Sequence, residues 1–377
     1  MLKTRMHKSI SITSIYYFSF LLYSFGYWLN DTNISDIGIN TTYIYIGTRI
    51  ICIAFLCIYM FAILSLRNSV KILPVLLIFS ISAYVTQSYD YLLLILFIIC
   101  ARKIDIDYLA KIQIATIFCI VLITVPLALL NIIPSRYLMT ESGTVRNSLG
   151  FYHPNQFAMA LLVCCICIFL LDFGKFHISN CLIIIAILAF MYIYTASRTS
   201  LIIGLLVLAI YFWSSKFKLK KIFLSELFAV IGLYIFSIFC MFNYSSNNAV
   251  LSKINDLLSL RLELMNHYYT IFGDSIFGRN LSDYNQYYRM FKGVVIDNAY
   301  ARMYIENGMV VSFILLVILI ATLFFYLKNK LYNKEIICLL LFLILAFTES
   351  SAVYACVNIG FVAISNYFYK RINRGLE

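Results

Sequence analysis

The sequence predicts an all-α polytopic membrane protein with about 12 transmembrane helices and one long extracytoplasmic loop. Three observations predict it. The composition is 63% hydrophobic and 12% charged, with a mean hydropathy of +0.90; a water-soluble domain carries about twice that charged fraction. Apolar runs of roughly 16–24 residues recur along the chain, close to the ~20 that cross a hydrocarbon layer at 1.5 Å per residue. The runs are continuous rather than alternating, which excludes an outer-membrane barrel.

Taken in order, the runs place spans near 12–29, 43–66, 72–87, 91–101, 112–133, 155–172, 178–194, 200–214, 222–242, 308–327, 336–347 and 352–368. The runs 91–101 and 336–347 are short enough to be tilted or kinked. The start, Met1-Leu-Lys-Thr-Arg-Met-His-Lys8, looks like a signal n-region, but no small-residue cleavage site follows, so a retained first span is expected. Only four prolines interrupt the chain, and no linker or low-complexity tract divides it. A single integral membrane domain over 1–377 is the expectation. No internal repeat is visible, which counts against transporters built from two similar halves.

The net charge of +12 suggests nucleic acid until its distribution is read. With the N-terminus inside, the connectors 1–11, 67–71, 102–111, 173–177, 215–221, 328–335 and 369–377 hold 19 of the 29 Lys and Arg. That satisfies the positive-inside rule and puts both termini in the cytoplasm. The charge is topology, and no nucleic-acid partner is expected. The basic residues also differ in kind: 14 Lys and 5 Arg inside, against 8 Arg and only Lys253 and Lys292 outside. Arginine presents a planar fork suited to phosphate and carboxylate. An outer face that prefers it hints at an anionic ligand; the plain alternative is pairing with outer acids or snorkelling to headgroups. The 11 cysteines all lie in apolar runs and read as small hydrophobes, with no disulfide or zinc role.

Three outer patches carry chemistry. The first, Arg136–Asn155, is a loop entering a helix, with Pro154 in the first turn and His153 beside it. It brings Arg146 and His153 to the mouth of a span. His153 titrates in a useful range as base or phosphate donor, or is simply satisfied by a neighbour. The second, Thr195-Ala-Ser-Arg-Thr-Ser200, sets Arg198 among hydroxyls at a helix start, an anion cradle or an ordinary turn. The third is the long segment 243–307. Its apolar positions 251, 254, 258, 262, 265, 269 and 272 predict an amphipathic helix near 251–272 that stops at Gly273. On the wheel Lys253, Asp256, Glu263 and His267 face water, while Arg261 sits at the edge of the apolar stripe. After a tyrosine-rich stretch (Tyr284, Tyr287, Tyr288), Asp297, Asn298 and Arg302 lie one helical turn apart, with Tyr300 between them. Tyrosines at a polar cleft fit sugar stacking, although the interfacial belt explains most of the 30.

Arg146-Asn-Ser-Leu-Gly-Phe-Tyr-His-Pro-Asn155, Thr195-Ala-Ser-Arg-Thr-Ser200, Arg261-Leu-Glu-Leu264, Phe277-Gly278, Asp297-Asn-Ala-Tyr300 and Gly308 resemble, in order, signature stretches of Wzy-type polysaccharide polymerases, members of the O-antigen ligase/polymerase superfamily. The resemblance covers roughly residues 110–365 and is most specific at 146–155, where it looks like capsular or exopolysaccharide polymerases. It implies a membrane glycosyltransferase-like fold in the cell membrane and a metal-independent, inverting glycosyltransferase without cofactor. Such an enzyme moves a growing glycan from undecaprenyl pyrophosphate to a sugar hydroxyl of the next lipid-linked repeat, on the outer face. Implied partners are that lipid-linked oligosaccharide, membrane lipid, and the pathway's flippase and chain-length regulator. Family arginines on the pyrophosphate match Arg198 and Arg261, with Arg146 in support. The related ligases place a histidine base where this chain has Asp297, so the resemblance leaves Asp297 or His153 as the base, or catalysis resting mainly on pyrophosphate stabilisation. Arg302, Asn298 and Tyr300 are secondary substrate contacts. A ligase, or a flippase for the same repeat, is the competing reading.

Overall fold

The computed structural model describes residues 2–64, 66–139, 143–214, 219–281 and 296–374. Among them the chain forms α1 (Leu2–Asn30), α2 (Thr41–Ile63), α3 (Leu66–Thr86), α4 (Asp90–Cys100) and α5 (Ile106–Leu129). A small antiparallel ribbon, β1 (Tyr137–Met139) with β2 (Val145–Asn147), precedes α6 (Pro154–Leu171), α7 (Ile178–Thr195), α8 (Arg198–Ser214) and α9 (Leu219–Asn243). Then come α10 (Ala249–Leu257), α11 (Arg261–Phe272), α12 (Ala299–Lys328), α13 (Lys334–Leu345) and α14 (Val362–Arg374). Six of these, α2, α5, α6, α7, α9 and α12, are long and apolar enough to cross a membrane. The protein is an all-α membrane protein.

Two compact units form, one from 1–62 with 103–222, the other from 63–102 with 223–377. The first is built around α6, whose sequence is apolar on every face and which packs against α5, α7 and α8. Its apolar window is 72% buried, whereas that of α7 is 22% buried. The outward isoleucines of α7, with Leu182 and Phe190, are apolar surface on a scale that water does not tolerate and hydrocarbon does. Cys164, Cys165 and Cys167 are buried in α6 as small packing residues. In the second unit α13 is buried from Ile336 to Leu345 and packs on a short 3-10 turn, Ile359–Phe361.

Two elements differ from the sequence expectation. The single amphipathic helix near 251–272 is two helices, α10 and α11, broken at Ser259 and Leu260, both left-handed (φ 56° and 64°). Asn255 makes the break: its carbonyl takes the Leu260 amide at 2.9 Å and its Oδ1 takes the Glu263 amide at 3.1 Å, giving α11 its start. The run 352–368 is not one helix either. It opens as 3-10 turns at Ser350–Val353 and Ile359–Phe361, and Asn358 accepts the Gly360 amide before α14 begins. The tyrosines at 284, 287 and 288 lie outside the described residues.

Candidate functional site

In the second unit the polar centre is Arg261, the first residue of α11 and 8% exposed. Leu262, Met265, Tyr268 and Phe272 anchor α11 in a cluster with Met241 of α9 and Ile305 of α12, so the guanidinium is carried inward by its helix. His267 is exposed, as are Lys253, Asp256 and Glu263, the arrangement the wheel gives. Arg261 Nε donates to Asp297 Oδ2 at 3.0 Å and Nη2 to Glu349 Oε1 at 3.4 Å. Nη1 is buried and, among the described residues, has no hydrogen-bond partner. A buried donor left unmade costs about 1–3 kcal/mol, more on a charged group, so this position calls for an oxygen ligand.

Asp297 and Glu349 meet across Arg261 because the start of α12 is stitched to the end of α13. Ala299 N donates to Ala346 O at 2.8 Å, and Tyr300 OH donates to Leu343 O. Asn298 caps α12 through Ala301 N at 3.0 Å while its amide donates to Ser237 Oγ at 2.8 Å and Phe347 O at 3.0 Å. Asn298 and Tyr300 are therefore spent on the fold, each buried and bonded. One turn further, Arg302 Nε bonds Glu306 Oε2 at 2.6 Å and Nη1 bonds Ser350 Oγ at 3.1 Å. The two arginines are thus tied to neighbouring residues of one connector, Glu349 and Ser350.

Below Glu306 the helix breaks. Gly308 has φ 82° and ψ 173°, and residues 275–279 lie along the gap: Arg279 N to Glu306 O at 2.9 Å, Met309 N to Ser275 O at 2.9 Å, Val310 N to Ile276 O at 3.2 Å. Gly278, with φ 91°, faces Gly308 so closely that a Cβ on it would stand 2.1 Å from Glu306 O, and one on Gly308 2.4 Å from Gly278 N. Both must be glycine.

In the first unit the stretch 146–155 is closed on itself. Arg146, paired in the ribbon with Leu138, donates from Nη2 to Asn155 Oδ1 and from Nε to Thr195 O at 2.6 Å. Asn33 holds its middle, through its amide to Phe151 O at 3.0 Å and its own backbone N to Gly150 O at 2.8 Å. His153 is the N-cap of α6, its Nδ1 accepting from Asn155 N at 3.1 Å. That bond needs the Nδ1 lone pair, so the neutral ring carries its proton on Nε2 and offers an N–H. Arg198 opens α8, is exposed, and pairs with no described acid. Next to it the hydroxyls of Ser197 and Ser200 are bonded to each other at 3.0 Å.

Of the residues singled out in the sequence, Arg261 and Asp297 are brought together, Arg302 lies one connector residue away, and Arg146 contacts the carbonyl of Thr195, three positions before Arg198. Glu349, Ser350 and Glu306 were missed. The signal was an acid and hydroxyls in Thr348-Glu-Ser-Ser351, between two apolar runs. Compared with known protein families, curated proteins and solved structures, the chain matches none.

Proposed function

We propose that this chain is a membrane glycosyltransferase that polymerises lipid-linked oligosaccharide repeats, passing the growing glycan from undecaprenyl pyrophosphate to a sugar hydroxyl of the next repeat. The observation that carries the reading is the buried Nη1 of Arg261, which has no hydrogen-bond partner among the described residues. A guanidinium already fixed by two carboxylates, with one donor left over in a poorly solvated place, is preorganised for an oxyanion. The order of the stretches resembling Wzy-type polymerases supports it. We read the helices as about 12 spans, both termini cytoplasmic, with 243–307 on the outer face.

In this reading the leaving pyrophosphate gathers charge as the glycosyl bond breaks, and Arg261 stabilises it. His153, a capped N–H donor, serves phosphate better than it serves as a base. A carboxylate of the Arg261 pair takes the acceptor's proton. The test is Arg261→Ala in the natural host. Long polymer disappears while single repeats and protein level stay; wild-type chain lengths in that variant sink the proposal.

One observation favours a transporter of the same lipid-linked repeat. Glu226 in α9 is 3% exposed and, among the described residues, neither carboxylate oxygen has a hydrogen-bond partner. Carboxyls at such depth mark transport pathways and proton relays. Under that reading a deletion strain accumulates repeats on the cytoplasmic side, where a polymerase mutant displays single repeats outside.

A further inference from the structure

Past Arg261, α11 ends at a corner where aromatic rings and unfilled polar groups meet. Phe242 at the end of α9, Tyr269 on α11 and Tyr304 on α12 pack against one another. The Phe242 centroid lies 4.7 Å from that of Tyr269 and 5.8 Å from that of Tyr304, at 81° and 80°. Two near-perpendicular contacts fix its plane, yet Phe242 stays 41% exposed. Asp274, just beyond the Gly273 stop, draws both phenols to one oxygen. Its Oδ1 accepts from Tyr269 OH at 3.2 Å and from Tyr304 OH at 2.8 Å. Its Oδ2 accepts from no described residue, and the side chain is exposed. Beside it Ser275 Oγ and Arg279 Nε are enclosed and, among the described residues, have no hydrogen-bond partner.

We propose that this corner is a sugar-binding platform that holds a neutral sugar of the lipid-linked glycan on Phe242, with the sugar hydroxyls on Asp274. Its place in the reaction rests on the glycosyl-transfer reading above. The chemistry selects the ligand. An aromatic belt at a membrane surface turns its tyrosine hydroxyls to water and headgroups, whereas here both are turned onto a carboxylate. A cation needs acceptors alone, and an anion needs donors alone. The corner has both kinds to spare: the acceptor Asp274 Oδ2 and the donors of Ser275 and Arg279. Each sugar hydroxyl is likewise both donor and acceptor. Arg279 also offsets the charge of Asp274, its Nη2 donating to the Asp274 carbonyl at 2.7 Å. Small-ligand sites combine an apolar wall with a few placed polar groups in this way.

Position fits a glycan tied to pyrophosphate. Arg261 and Tyr269 ride on one helix, about 12 Å apart along its axis at 1.5 Å per residue. A glycan whose pyrophosphate rests on Arg261 reaches the platform with one of its first sugars. No bond forms or breaks at the platform, so its worth shows as affinity and not as chemical rate.

Two measurements on the full chain test it. The first uses the protein purified in detergent. Its probe is the oligosaccharide freed by mild acid from the lipid extract of a strain deleted for this chain. Saturation-transfer NMR titration gives the dissociation constant. Asp274→Asn is expected to weaken binding about tenfold, and Phe242→Ala about threefold to tenfold. Phe242→Trp, which keeps a flat ring, stays within about twofold of wild type. The second follows glycan lengthening in host membranes supplied with the intact lipid extract. There Asp274→Asn raises the half-saturating concentration about tenfold and leaves the saturated rate unchanged. If Asp274→Asn and Phe242→Ala both bind within about twofold of wild type, the platform is overturned. Binding by Phe242→Trp as weak as that of Phe242→Ala overturns it too, since the ring then only packs. So does an Asp274→Asn that lowers the saturated rate alone. If Phe242→Ala fails to accumulate, Asp274→Asn decides, because its side chain is exposed. The two readings fail separately. Wild-type protein that lengthens glycan but does not bind the free oligosaccharide overturns the platform and keeps glycosyl transfer. Wild-type protein that binds the oligosaccharide but lengthens nothing keeps the platform and overturns glycosyl transfer.

Discussion

Asp172 shows how one carboxylate can hold a turn. It lies between α6 and α7 and accepts from His177 Nδ1 at 2.9 Å, from Tyr211 OH at 3.1 Å and from the Asn180 amide. Burial pushes its pKa up, but the bonds from His177, Asn180 and Tyr211, with the charge of His177, outweigh it and leave the value below the usual carboxylate range. A carboxyl lowered on folding stabilises fully above its unfolded value, ~3.9, and that contribution is lost as pH falls through the lower folded value. Asp172→Asn should therefore cost about 1–2 kcal/mol near neutrality and flatten the acid side of a Tm–pH curve in detergent. An acid limb equal to wild type would dismiss this role. At this scale the sequence was half legible. Arg261 and Asp297 announce themselves by being charged where the topology expects few charges. Glu349 does not, because its importance comes from α12 docking on α13, a contact between residues about 50 apart that no spacing encodes.

Elements were legible where period alone decides them and illegible where a turn overrides the period. The apolar positions from 251 to 272 keep helical spacing straight through Ser259 and Leu260, and neither residue is a breaker. The chain turns there because Asn255 gathers the Leu260 and Glu263 amides, forcing two L-residues left-handed. A left-handed non-glycine costs about 1–2 kcal/mol, and Leu260 is 48% exposed, so little packing compensates. Leu260→Gly should raise stability by up to about 1 kcal/mol once the added chain entropy is subtracted, seen as a higher Tm in detergent. A lower Tm would mean that Leu260 packs in a way its exposure conceals. The stretch 146–155 teaches a related lesson: its most recognisable residues are largely occupied in closing a loop, with Arg146 on Asn155 and His153 on the α6 start.

At the scale of the whole molecule, composition settled the class because exposed apolar surface has only one tolerable solvent. Phe118, midway along α5, is 60% exposed. Phe118→Arg should cost about 3 kcal/mol of insertion and reduce the membrane-integrated fraction, whereas Phe118→Leu should leave it unchanged. Equal integration of both variants would place that face of α5 away from hydrocarbon. What composition could not reveal is that the helices gather into two units, each assembled from separated stretches of chain. Assignment to a unit depends on which faces meet, and nearly every face here is apolar.

The gap in α12 has a consequence for heredity. A broken helix usually invites the thought of a hinge, but here residues 275–279 splint the gap with three main-chain bonds. The splint leaves no room for side chains at Gly278 or Gly308, and the nearest atom an added carbon meets at either is backbone. No second substitution can remove backbone. A change at one glycine thus cannot be rescued by a change at the other, and the two positions, 30 residues apart in the chain, are inherited as a single constraint.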